Sequence, residues 1–146
     1  CEINRKTAVP LFYTGGEITP LPELPFQAQK CLDRAKYILE LNKANAEYNV
    51  TLEEKDNWKN KIWGIDGDFV IKEYDETRDA TLTMNLFKNA NNRIFNVFAS
   101  ISGQGHDCRE HTCEHAWRFM RTFYRDHEKK LHGGHVQQVL DTLKID

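Results

Sequence analysis

Apolar and polar positions change their period along this chain. Between residues 26 and 46, Cys31, Ala35, Ile38, Leu39 and Asn42 recur at helical spacing, with Ala28, Leu32 and Tyr37 beside them. Pro25 suits a helix entry, so the spacing predicts an amphipathic helix over 26–46. The period then drops to two: "YNVTLEE", the set Leu82, Met84, Leu86 and the set Phe95, Val97, Ala99, Ile101 alternate as half-buried strands do. "KIWGIDGDFVIKEY" reads as a strand pair or one bent strand, and "YDETRD" and "KNANNR" as hairpin connections. From Thr112 the helical period returns through Ala116, Trp117, Met120, Phe123, Tyr124, His127 and Leu131, which predicts a second long helix ended by Gly133-Gly134. Val136, Val139, Leu140 and Leu143 predict a short final helix. Upstream, Gly15, Gly16, Pro20, Pro22 and Pro25 interrupt regular structure, so residues 11–25 read as an extended arm.

A helix followed by an uninterrupted meander indicates an α+β fold: a long helix packed on a four- to five-stranded antiparallel sheet, with additional C-terminal helices. The 146 residues, 40% hydrophobic and 11% aromatic, suit a single domain over 1–146. Trp117, Met120, Phe123 and Tyr124 are together too apolar to leave in water, which predicts that they extend the core. A net charge of -2 supplies no field to draw nucleic acid or an anionic membrane, and no apolar run approaches the roughly 20 residues of a membrane span.

Position 1 is Cys1, which reads as a mature chain after signal-peptide removal and predicts a secreted, extracellular protein. A lipid-bearing Cys1 of a bacterial lipoprotein is the alternative. In an oxidising compartment the four cysteines have three possible pairings, and spacing favours Cys1 with Cys31 and Cys108 with Cys113. Asn49-Val50-Thr51 is a glycosylation sequon, with Asn49 as its acceptor.

Several short motifs occur in a meaningful order. Gly15-Gly16 lies in the arm, Asn42-Lys43 falls near the end of the helix "CLDRAKYILELNKAN", and Asn60-Lys61-Ile62-Trp63-Gly64 precedes the strand-like "DFVIKEY". Over residues 11–105 this order resembles the cystatin superfamily, leaving 106–146 as a helical extension. The resemblance implies a binding protein that plugs the cleft of a papain-like cysteine protease with a wedge of Gly15, Gly16, Asn60, Ile62, Trp63 and Gly64. Glycines let backbone pass close to an enzyme wall, and an apolar tip provides a desolvated anchor. The family's motif glutamine is Asn60 here and its Pro-Trp hairpin is absent. Asp66-Gly67 is itself a two-residue turn signal, and a turn there leaves Trp63 inside a strand. The same scaffold also suits a non-inhibitory interaction, carrier or surface-active protein.

The densest chemistry is "HDCREHTCEH", residues 106–115. His106, His111 and His115 are candidate metal ligands, with His111 and His115 at i and i+4 and a second arm available from His127, His132 or His135. An exported chain oxidises its thiols, so the expectation is a Cys108–Cys113 disulfide with no metal and no cofactor. No nucleophile elbow, phosphate loop or His-Glu-x-x-His motif is present, and the reading is binding rather than catalysis. Asp66 and Asp68 lack the other ligands of a calcium loop, and Arg118, Arg121 and Arg125 read as a solvated helix face.

Overall fold

A computed structural model describes residues 8–16, 29–44, 67–104 and 110–144. Its elements, in chain order, are β1 (Leu11–Gly16), α1 (Gln29–Leu41), β2 (Phe69–Asp75), β3 (Ala80–Lys88), β4 (Ile94–Ile101), α2 (Glu110–Met120), β5 (Phe123–Arg125), β6 (Leu131–Gly133) and α3 (Val136–Leu143). The architecture is α+β, with a four-stranded sheet in the order β1-β4-β3-β2 and a separate β5-β6 pair.

β2, β3 and β4 form the antiparallel meander, with Met84 opposite Ile71 on one side and Ala99 on the other. β1 closes the far edge in parallel to β4, so the sheet is mixed rather than wholly antiparallel. This corrects the extended arm: Leu11 to Gly16 is a strand, with Gly15 opposite Ser100 and Gly16 opposite Ile101. All the prolines that spoil the segment for pairing lie beyond residue 16, and glycine is tolerated at the end of an edge strand.

Alternation assigns the two faces of the sheet. Leu82, Met84 and Leu86 of β3 and Val97, Ala99 and Ile101 of β4 share one face, where Phe119 of α2 and Val139 and Leu143 of α3 complete a buried cluster. Phe87 and Phe98 lie on the other, their ring centroids 5.1 Å apart. The end of α1 is tied to that second face by Asn42. Its Nδ2 donates to Asn96 Oδ1 at 2.6 Å and to the Val9 carbonyl at 2.8 Å, and its Oδ1 accepts from Val9 N–H at 2.9 Å. Within the described residues α1 spans 13 residues and ends at Leu41, short of the expected end at 46. It stops where Lys43 turns to φ 57° and Ala44 N–H returns to the Leu39 carbonyl, the 6→1 bond of a left-handed helix end.

The long second helix is not there. α2 ends at Met120, and Phe123, Tyr124 and Leu131 belong to a hairpin instead. Asp126 explains the change: its Oδ1 accepts from Glu128 N–H at 3.0 Å and Lys130 N–H at 2.8 Å, pinning a turn that a helix would have to erase. Gly133-Gly134 ends β6 rather than a helix, with φ of 92° and 73°. The short final helix is present as α3. Trp117 (66% exposed), Met120 (42%) and Tyr124 (64%) are corrected from core to surface, while Phe123 is half-buried against Phe95 and Phe119. Arg125 accordingly sits on β5, apart from the helix that carries Arg118 and Arg121 or its end. Among the described residues no helix is long and apolar enough to cross a membrane.

Candidate metal centre

Two periodicities meet at one point of the sheet. On β2 the residues facing α2 are Phe69, Ile71, Glu73 and Asp75, while Val70, Lys72 and Tyr74 are exposed on the opposite side. An acidic residue therefore occupies a position that alternation assigns to the packed face. On α2, Thr112, His115 and Phe119 are buried, and His111 stands one turn before His115. The ligand atoms of Glu73, His111 and His115 all lie within 4.8 Å of one another.

His115 is fully buried, with its Nδ1 2.7 Å from the His111 carbonyl oxygen. A carbonyl only accepts, so Nδ1 carries the proton and the lone pair of the neutral ring is on Nε2. That Nε2 lies 2.5 Å from Glu73 Oε2, yet without the alignment of a hydrogen bond, so the buried nitrogen is left unsatisfied. Two acceptors facing each other at this range call for a cation between them: a proton or a metal ion. His111 Nε2 is 3.4 Å from the same carboxylate oxygen. Two ligands on a tetrahedral zinc with bonds of about 2.0–2.1 Å stand about 3.4 Å apart. The Glu73 to His111 edge already has that length, and the Glu73 to His115 edge must open by roughly 0.9 Å. The two imidazoles meet edge to face with centroids 4.5 Å apart.

Around this triad the charges are set by local hydrogen bonds. The Thr77 hydroxyl, 2.6 Å from Asp75 Oδ1, holds the Asp75 carboxyl below the usual range, and the positive charge of Arg78 acts in the same direction. Arg118 donates to Glu114 Oε1 through Nε at 3.0 Å and Nη2 at 2.8 Å, which lowers the Glu114 carboxyl. Glu73, Tyr74, Asp75, Glu76 and His111 line a surface cleft that opens beside the triad.

The sequence candidates separate. His111 and His115 are brought together; His106 lies outside the described residues. Cys113 is exposed, between the two inward histidines in sequence, so it lies on a different face of α2 from His115. Cys1 and Cys108 lie outside the described residues, and Cys31 is placed in α1, so neither expected disulfide is displayed. Asn49, Asn60, Ile62, Trp63 and Gly64 also lie outside them, while Gly15 and Gly16 are in β1. His127 is exposed, His132 pairs with Asp126, and His135 precedes α3, so none furnishes a second arm.

Glu73 was not among the sequence candidates. Its signal was an acid in phase with Phe69 and Ile71 on the half-buried face of a strand, with Asp75 following on the same face. Glu114 was also missed: His111-Thr112-Cys113-Glu114-His115 has the order His-x-x-Glu-His, the reverse of the motif sought. No protein-family model matches this chain, and no curated protein or solved structure matches it either.

Proposed function

We propose that this is a binding protein for a divalent transition-metal ion, with Glu73, His111 and His115 as its ligands. The observation that carries the reading is the buried, unsatisfied Nε2 of His115, facing a carboxylate oxygen with a second imidazole in range. Two imidazoles and one carboxylate suit zinc, whose sites combine nitrogen and oxygen donors in tetrahedral geometry. The site uses no thiol, so it is compatible with secretion and with the cysteines being oxidised. Calorimetric titration with zinc chloride is expected to give one ion per chain, with binding lost in His115→Ala and in Glu73→Gln. A wild-type protein that takes up no zinc ends the proposal.

A second proposal follows from the order of parts, in which α1 precedes an antiparallel meander. It is inhibition of a papain-like cysteine protease through the segment around Asn60, Ile62, Trp63 and Gly64. Inhibition of papain at nanomolar protein, weakened by Trp63→Ala, supports it; no inhibition at micromolar protein removes it.

A further inference from the structure

We propose that the zinc-loaded site hydrolyses peptide bonds in an extended chain laid along the edge of β2, with Glu114 as general base. This rests on the metal reading above and extends it from binding to catalysis.

Three features converge on it. Among the described residues the site has three ligands, and with these three the fourth tetrahedral position falls to water; structural zinc sites close that position with a fourth side chain, whereas catalytic sites keep it open. Glu114 stands at i+3 from His111 and directly before His115, so it flanks the ligand face of α2, with neighbouring Cβ atoms about 5–6 Å apart. Its carboxylate is held by Arg118, one turn toward the C-terminus, and is half-exposed, so it leaves that guanidinium to reach a water on the ion. The residue set is then complete: two imidazoles, a carboxylate ligand from a separate element, and a second carboxylate beside the ligands to take a proton.

The substrate follows from the sheet. Among the described residues β2 is an edge strand, and the cleft beside Glu73 opens on it. An extended peptide that adds as a strand to such an edge is aligned by main-chain hydrogen bonds, bringing a backbone carbonyl past the ligands without needing a deep side-chain pocket. The ion's role is to polarise that carbonyl and acidify its bound water. The water oxygen bonds to the carbonyl carbon as its proton passes to the Glu114 carboxylate, and the carbonyl π pair moves to oxygen. Collapse of the tetrahedral adduct breaks the C–N bond, and Glu114 returns the proton to the departing nitrogen. One water is consumed, and a carboxylic acid and an amine are produced, the acid's proton then passing to the amine to leave a carboxylate and an ammonium.

The test uses the full chain, stripped by chelator and reloaded with zinc chloride, acting on a pool of internally quenched peptides. Wild type is expected to cleave only when reloaded, and E114Q to bind zinc equally while losing about 100-fold or more of the cleavage rate. Zinc uptake without cleavage, or equal cleavage by E114Q, overturns the catalytic proposal and leaves the metal reading standing. No zinc uptake at all overturns both.

Discussion

Among the described residues, two places bring a histidine Nε2 against a carboxylate at close range, and they differ in construction. His132 Nε2 lies 2.6 Å from Asp126 Oδ2 in the β5-β6 hairpin, and His115 Nε2 lies 2.5 Å from Glu73 Oε2 between α2 and β2. The Asp126 carboxylate is already occupied by two backbone N–H donors of its own turn, and the His132 ring stacks on Tyr124 at 5.1 Å with 17° between planes. Both partners there are partly wet, at 34% and 25% exposure. Water and local donors satisfy whatever the pair leaves over, so that contact staples a turn. At the other place the imidazole has no exposure at all, its Nδ1 is committed to a carbonyl, and a second imidazole is aimed at the same oxygen. A short histidine to carboxylate distance is therefore a poor guide to a metal site. Burial and the number of uncommitted lone pairs separate the two.

The comparison breaks most severely through the hairpin backbone. A Cβ on Gly133 falls 1.8 Å from the Thr122 carbonyl oxygen at φ 92°, a conformation closed to other residues. Gly133→Ala is expected to cost about 3 kcal/mol or more in chemical denaturation, by displacing the hairpin that holds His132. It should leave the α2 to β2 contact able to take zinc wherever the protein still folds. Equal stability of Gly133→Ala and wild type removes the hairpin as described.

Next in size is the contrast between the two histidines. His115→Ala empties a fully buried site and removes one of the imidazoles at Glu73, an expected loss of about 2–4 kcal/mol together with zinc binding. His132→Ala removes a half-exposed ring, for an expected loss of about 1 kcal/mol or less with zinc affinity unchanged. Zinc should also raise the melting temperature of wild type and of His132→Ala, but not of His115→Ala. If both variants keep zinc, or both lose it, the distinction between staple and site fails.

What was legible in the chain follows the same division between local and tertiary causes. The alternation in β3 and β4 is unambiguous because a strand's period is a property of the segment itself, and both strands appear with their hairpin turns where the pattern puts them. Residues 112–131 misled because Met120, Phe123, Tyr124 and Leu131 fit a helical period by number, while the deciding interaction is a side chain, Asp126, capping its own turn. The edge position of β1 depends on pairing with a strand more than 80 residues later, which periodicity does not encode. His111 and His115 were visible as an i, i+4 pair on one helix. Glu73 required knowing which strand brings a side chain to the histidines of α2, although its place beside Phe69, Ile71 and Asp75 marked it as an acid on an inward face.

The smallest effect separates the pairs by acid. The His132 contact, followed by the Lys130 N–H bond, holds the Asp126 carboxyl below the usual range. A carboxylate whose folded value is depressed contributes stability above its unfolded value of about 3.9, and that contribution disappears as pH falls through the folded value. Stability measured by denaturant at descending pH is thus expected to decline below pH ~4, and Asp126→Asn to flatten part of that decline. Asp75 and Glu114 are depressed as well, the first mainly by the Thr77 hydroxyl and the second mainly by Arg118, so some slope persists in the variant. A slope identical in wild type and Asp126→Asn would mean that His132 and the turn amides stabilise nothing through that carboxylate. The hairpin would then rest on its backbone ladder, on the Arg93 bond to the Gly133 carbonyl and on the packing of Phe123 against Phe95 and Phe119.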